Sequence, residues 1–141
     1  MSSTQPPPFL SVVIPCYNEA RNLERGVLDE VDHFLRQQRF DWEVIVVDDG
    51  SSDGSSRLVE QLVAGKAGFT ALNISHGGKP AAVWAGIQHA RGEIVLFTDM
   101  DQSTPIGEVD KLLPWYDQGY DVVIGSRGAA REGFTVLRKL G

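Results

Sequence analysis

The sequence predicts an α/β fold: a doubly wound, mainly parallel sheet with helices on both faces. Five short apolar runs rich in valine and isoleucine, at 9–15, 42–48, 69–74, 93–99 and 120–125, lack the polar alternation of strands with one wet side and read as strands covered on both faces. Segments with apolar residues at helical spacing separate them, as parallel sheets built from crossover units require. Polar clusters fall at the carboxyl ends of the runs, where open sheets of this class bind ligands.

The elements follow in order. Val12, Val13 and Ile14 centre the first strand, which Pro15 closes. Asn18 is placed to cap a helix reaching about residue 38, because Leu23, Val27, Val31, Phe34 and Leu35 recur at helical spacing among charges. The second strand ends in the polar run 48–54, a loop. A helix over 55–64, a strand over 69–74, a Gly77-Gly78 loop and a helix over 80–90 come next. The fourth strand ends at Asp99, a helix spans 105 to about 117, and a fifth strand covers 120–125. Residues 134–141 read as the start of an amphipathic helix. The expectation is therefore an extended proline-rich leader over 1–8 and one domain over 9–141, cut short at its C-terminus.

A chain of 141 residues and 15.4 kDa suits one domain. Its 13 Lys and Arg against 19 Asp and Glu give a net charge of −6, which lacks the basic footprint of a nucleic-acid binder. An anionic ligand must be held by a few local cations, backbone N–H groups or a metal. The single cysteine, Cys16, allows no internal disulfide and no cysteine zinc site, and reads as a small core residue rather than a nucleophile. No apolar run approaches the ~20 residues needed to cross a bilayer, and residues 1–8 carry no signal-peptide pattern.

Four polar clusters converge on one predicted rim: Tyr17-Asn18-Glu19, Asp48-Asp49-Gly50, Asp99-Met100-Asp101 and Ser126-Arg127. Asp99 and Asp101 stand two apart, so an extended backbone puts both carboxylates on one face, a hard-oxygen pair suited to Mg²⁺ or Mn²⁺ with waters and diphosphate oxygens. The plain alternative is a solvated loop that caps the next helix. Asp48 and Asp49 repel each other, so one is expected to face a ligand. A carboxylate can accept the imide N–H of uracil or the N1–H of guanine, and adenine offers no equivalent donor. The alternative there is an Asx-turn with Gly50 at positive φ. His76-Gly77-Gly78-Lys79 opens a helix whose N–H groups and lysine favour anions, or is a simple turn; P-loop spacing is absent. His33 and His89 read as structural or surface residues. Arg127, Arg131 and Arg138 could chelate phosphate through paired N–H donors, or form an ordinary basic loop.

Taken in order, Val13-Ile14-Pro15-Cys16-Tyr17-Asn18-Glu19, Val46-Val47-Asp48-Asp49-Gly50-Ser51-Ser52-Asp53, Gly78-Lys79, Asp99-Met100-Asp101 and Gly125-Ser126-Arg127 resemble the family 2 glycosyltransferases of the GT-A fold. The stretch from Phe97 to Ile106, with Gly125-Ser126-Arg127 beyond it, looks most like the dolichyl-phosphate glucosyltransferase and dolichyl-phosphate mannose synthase branch. The resemblance implies an inverting hexosyltransferase that uses a nucleotide-diphosphate sugar of the UDP-glucose or GDP-mannose type and a polyprenyl-phosphate acceptor. It implies Pro15, Tyr17 and Glu19 around the nucleoside and Asp49 on the base edge, with Asp48 and Lys79 among the donor-binding residues. Asp99 would lie near the ribose and diphosphate, Asp101 would be the principal ligand of Mg²⁺ or Mn²⁺, and Arg127 and Arg138 would hold phosphates. The third metal ligand is open between Gln102 and Ser103. Membrane contact, at a cytoplasmic face, is expected only in a longer protein. Two other readings stand beside this one: a noncatalytic nucleotide-sugar-binding fragment, and a haloacid-dehalogenase-like phosphatase with Asp99 as nucleophile, whose motif usually follows the first strand.

Overall fold

The computed structural model describes residues 6–124 and 135–138. Among them six strands form one sheet: β1 (Leu10–Cys16), β2 (Trp42–Asp49), β3 (Phe69–Ile74), β4 (Ile94–Phe97), β5 (Val122–Ile124) and β6 (Thr135–Arg138). Their order is β3-β2-β1-β4-β6-β5. The first four lie parallel to one another, and β6 runs antiparallel between β4 and β5. The chain winds outward from β1 to β3 and then returns to β4 on the other side of β1. Strand order thus reverses between β1 and β4, the place where a ligand crevice opens in such sheets.

Strand alternation divides the core. Leu10, Val12, Ile14 and Cys16 of β1, with Val44, Val46, Ile94 and Leu96, pack against Leu23 of α1 (Ala20–Glu24), Val27, Val31 and Leu35 of α2 (Val27–Arg36) and Val59 of α3 (Ser55–Ala64). Val13, Ile45, Val47 and Val95 face the other way, onto Ala82, Ala85 and Ile87 of α4 (Lys79–His89). The doubly wound, mainly parallel α/β sandwich expected from the sequence is borne out.

Three elements differ from expectation. The helix expected to reach residue 38 is two helices, because Gly26 adopts φ 89° between them, a left-handed turn that glycine takes without steric cost. Asn18 does not cap it: at φ 53°, its Oδ1 accepts the Ser52 N–H at 2.8 Å and ties two loops together. The 105–117 segment is a 3-10 helix (Ile106–Lys111) followed by α5 (Leu113–Asp117), since Pro114 in the first turn of α5 has no N–H to continue the preceding ladder. The stretch 134–141, expected to begin a helix, carries β6 at Thr135–Arg138, where Val136 and Leu137 pair in register with Leu96 and Val95. A short apolar run does not distinguish a helix from a strand by its period.

Helix α4 sits close to the sheet because residue 86 is glycine. A Cβ there would lie 2.3 Å from Val13 Cγ1, so Gly86→Ala is expected to destabilise the fold by about 1–3 kcal/mol through overpacking. Thermal denaturation should record this as a drop of several degrees in Tm.

Candidate functional site

A cleft of about 340 Å³ opens at the β1/β4 reversal. Pro15, Tyr17, Glu19, Asp49, Lys79, Asp99 and Asp101 all line it, together with His76. Seven of the residues singled out in the sequence are therefore gathered from the carboxyl ends of β1, β2 and β4 and the start of α4.

Tyr17 and Glu19 are aimed by cross-loop hydrogen bonds. The Asn18 N–H donates to Ser51 Oγ and the Glu19 N–H to Ser55 Oγ, each at 2.9 Å. Asp53 completes the link, accepting the Ser55 hydroxyl and N–H on one oxygen and the Ala20 N–H on the other. These bonds, the Ser55 hydroxyl first, hold the Asp53 carboxyl below the ordinary carboxylate range.

The adjacent acids of β2 separate because successive side chains point to opposite faces. Asp49 faces α4, where its Oδ1 accepts the Gly77 N–H at 2.8 Å and its Oδ2 the Gly78 N–H at 3.0 Å. Asp48 faces the α1–α3 layer, and is not brought to the cleft wall. Its Oδ2 accepts the Ser51 N–H at 3.1 Å, while its Oδ1 is buried without a hydrogen-bond partner. Gly50 adopts φ +69°, and a Cβ there would lie 2.8 Å from the His76 backbone nitrogen, so the turn and the close loop packing both require glycine.

Asp99 and Asp101 lie past the end of β4 on a turn rather than on extended backbone. Gln102, at φ 52°, closes that turn: its amide donates to the Asp99 carbonyl at 2.8 Å and accepts the Ile106 N–H at 3.0 Å. Both polar atoms of the Gln102 side chain are thus engaged within its own loop. Asp101 Oδ1 accepts the Ser103 N–H at 3.0 Å, and Arg25 donates to the Asp101 carbonyl at 2.9 Å. Asp99 Oδ1 is paired with Lys79 Nζ at 2.5 Å, both side chains being about half exposed. Four carboxylates, Glu19, Asp49, Asp99 and Asp101, face one lysine in the cleft. Among the described residues no group of three or more His, Cys, Asp or Glu side chains forms a closed metal cage.

Arg127 lies outside the described residues, as does Arg131. Register sets Arg138 opposite Ile94, at the amino end of β4, because β6 runs antiparallel. A larger groove of about 650 Å³ also lies at the amino ends of the strands, lined by Arg36, Arg39, Arg91 and Trp42 among others. Arg36 and Arg91 there are paired with Asp32 and Glu43. His76 and Arg25 were not singled out individually in the sequence, although His76 stands two residues past the carboxyl end of β3, on the rim that carries the other site residues.

Cys16 lines the cleft floor yet is fully buried. Burial first, then the negative charges of Asp48 and Glu19, pushes its thiol up to about 12. At pH 8 only about one thiol in ten thousand is then ionised. We expect Cys16 to resist iodoacetamide at pH 8 in the folded protein and to react promptly once the chain is unfolded, a contrast that mass spectrometry reads directly.

A parallel sheet with helices on both faces and an acid-lined crevice at its reversal point defines a doubly wound α/β domain of the GT-A type. Residues 11–140 match the sequence profile of glycosyl transferase family 2, and the chain belongs to that family. It is 35% identical over 136 residues to dolichyl-phosphate beta-glucosyltransferase ALG5D of Trichomonas vaginalis, covering 87% of this chain and 41% of that protein. It is 38% identical over 133 residues to undecaprenyl-phosphate 4-deoxy-4-formamido-L-arabinose transferase of Pectobacterium carotovorum, covering 93% of this chain and 40% of that one. The chain thus spans about two fifths of the length of these relatives. The fold matches that of a mannosyltransferase from Pyrobaculum calidifontis in complex with GDP-Man and Mn²⁺, with a TM-score of 0.73, 23% identity, and coverage of 94% of this chain and 45% of that one. Among the described residues no helix is long and apolar enough to cross a membrane.

Proposed function

We propose that the cleft binds a nucleotide-diphosphate sugar together with Mg²⁺ or Mn²⁺, and that the whole enzyme transfers the sugar with inversion to a polyprenyl phosphate at the cytoplasmic face of a membrane. The observation that carries the reading is the convergence of Tyr17, Glu19, Asp49, Lys79, Asp99 and Asp101 in one cleft at the strand-order reversal. The two relatives named above, which act on dolichyl and undecaprenyl phosphate by name, support the acceptor class.

Charge supports the cation. A diphosphate entering among four carboxylates meets repulsion that one lysine does not offset. Asp99 and Asp101, two hard oxygen donors open to the cleft, fit a cation that keeps its waters and takes phosphate oxygens. When bound, that cation would supply Lewis-acid stabilisation of the departing nucleoside diphosphate. Around it, Tyr17 offers a ring face to the base, Asp49 accepts an imide or lactam N–H, and Pro15 and Glu19 close the nucleoside side. Lys79 exchanges its pairing with Asp99 for a phosphate oxygen at the start of α4, where helix N–H groups also favour anions. Asp48 supports the loop through Ser51. Strand β5 runs in the direction of β4 and reaches the cleft end at Ile124, three residues before Arg127, and Arg127 is assigned to the phosphates from there.

The acceptor attacks the anomeric carbon opposite the departing diphosphate, which inverts its configuration. A phosphate monoester loses its second proton near pH 6, so the attacking oxygen is already ionised at neutral pH and needs no protein base. Asp99 acting as a phosphatase nucleophile is disfavoured by its place after the fourth strand and by its ion pair with Lys79.

A thermal-shift panel of UDP, GDP and ADP, with and without Mn²⁺, tests the reading. A selective ligand at a hundred times its Kd adds about 2.7 kcal/mol of apparent stability. We expect UDP or GDP with Mn²⁺ to raise Tm clearly and ADP to raise it least; no shift with any nucleotide would contradict the assignment.

A further inference from the structure

The loop between β3 and α4 puts a second flat ring into the cleft. His76 stacks on Tyr17 with ring centroids 4.4 Å apart and planes inclined by 28°. Its Nδ1 lies 3.0 Å from Asp49 Oδ2 and 3.0 Å from the Asp49 carbonyl oxygen. The planar ring lies on the face of Tyr17, and its Nδ1, hydrogen-bonded to the Asp49 carbonyl oxygen, sits against the Asp49 carboxylate, so the imidazole covers both groups assigned above to the donor base.

We propose that His76 is a latch on the nucleoside subsite, occupying the place of the base in the free protein and leaving when the donor binds. The inference rests on the reading of this cleft as a donor site. Stacked rings touch at roughly 3.5–4 Å, so a base could slide between them only if they parted to roughly 7 Å. The base must instead replace the imidazole. The Asp49 carboxylate need not move for this, because the Gly77 and Gly78 N–H groups hold it independently of His76. The backbone at His76 also stays in place, packed where a Cβ on residue 50 would be 2.8 Å from its nitrogen. Exit is therefore a side-chain rotation, and the His76 side chain is already 55% exposed. A ligand that competes with an internal group loses affinity by the factor with which that group occupies the site.

The test is calorimetric titration of the wild type, His76→Ala and His76→Phe with UDP and GDP in Mn²⁺, and with Mn²⁺ and inorganic pyrophosphate as a ligand without a base. Alanine removes both latch contacts and should tighten the base-bearing ligand about tenfold while leaving pyrophosphate unchanged. Phenylalanine keeps the stack without the hydrogen bond and should fall between the other two. Weaker or equal nucleotide binding by His76→Ala would overturn the latch and make His76 a wall of the pocket or a bystander. An equal gain for pyrophosphate would overturn it in favour of general loosening. If neither the wild type nor a variant binds any nucleotide, the donor-site reading fails and the latch fails with it.

Discussion

Replacing Asp101 by alanine is expected to remove the metal-dependent part of nucleotide binding, lowering UDP or GDP affinity in Mn²⁺ by about 10- to 100-fold, or about 1.4–2.7 kcal/mol, and leaving the metal-free affinity unchanged. Of this pair of acids Asp99 is taken up by Lys79, whereas among the described residues Asp101 makes no ion pair. Loss of one full charge next to a divalent ion is large on the Coulomb scale even in a solvated site. A mutation there could also act through the turn, because Asp101 Oδ1 accepts the Ser103 N–H. Asp101→Asn separates the two causes. It keeps that acceptor and loses the charge, and it should behave like alanine if the metal is what matters. Calorimetry with and without Mn²⁺ decides; retention of the metal enhancement in both variants would show that Asp101 is not a ligand.

The second large effect is at Asp49. Asp49→Ala should flatten the preference for UDP or GDP over ADP, a discrimination expected to be worth about 1–3 kcal/mol in the wild type, the cost of leaving a buried polar group unsatisfied. It should also lower stability by about 2–4 kcal/mol, because the Gly77 and Gly78 N–H groups lose their shared acceptor. Asp49→Asn keeps one acceptor oxygen and offers an amide N–H where the base requires an acceptor. It is therefore expected to retain more stability than alanine and to lose the base preference as fully. Competition titrations of the three nucleotides, paired with thermal denaturation, separate recognition from folding.

Much of this fold and site is legible in the sequence itself. The apolar runs ending in Tyr17, Asp49 and Asp99 announce both the parallel sheet and the rim, because a strand buried on both faces cannot carry such groups anywhere except at its end. Parity along β2 separates Asp48 from Asp49 once the sheet is known. What local pattern could not supply is tertiary. The left-handed turn at Gly26 splits one amphipathic stripe into two helices whose apolar positions still share a core. Thr135–Arg138 becomes a strand because β4 offers it an edge, and that same antiparallel register carries Arg138 to the far end of the sheet from the acids. The stack of His76 on Tyr17 joins residues 59 positions apart in sequence, and nothing in the local sequence marks the contact.

The most direct test of the central claim is to map where the donor lands. Backbone NMR shifts of the domain titrated with UDP or GDP and Mg²⁺ should move at Tyr17, Glu19, Asp49, Gly77, Gly78, Lys79 and Asp101, and remain still at Arg36, Arg39, Trp42 and Arg91 around the groove at the opposite strand ends. Shifts centred on that arginine-lined groove, or no shifts in the cleft at saturating nucleotide, would contradict the account.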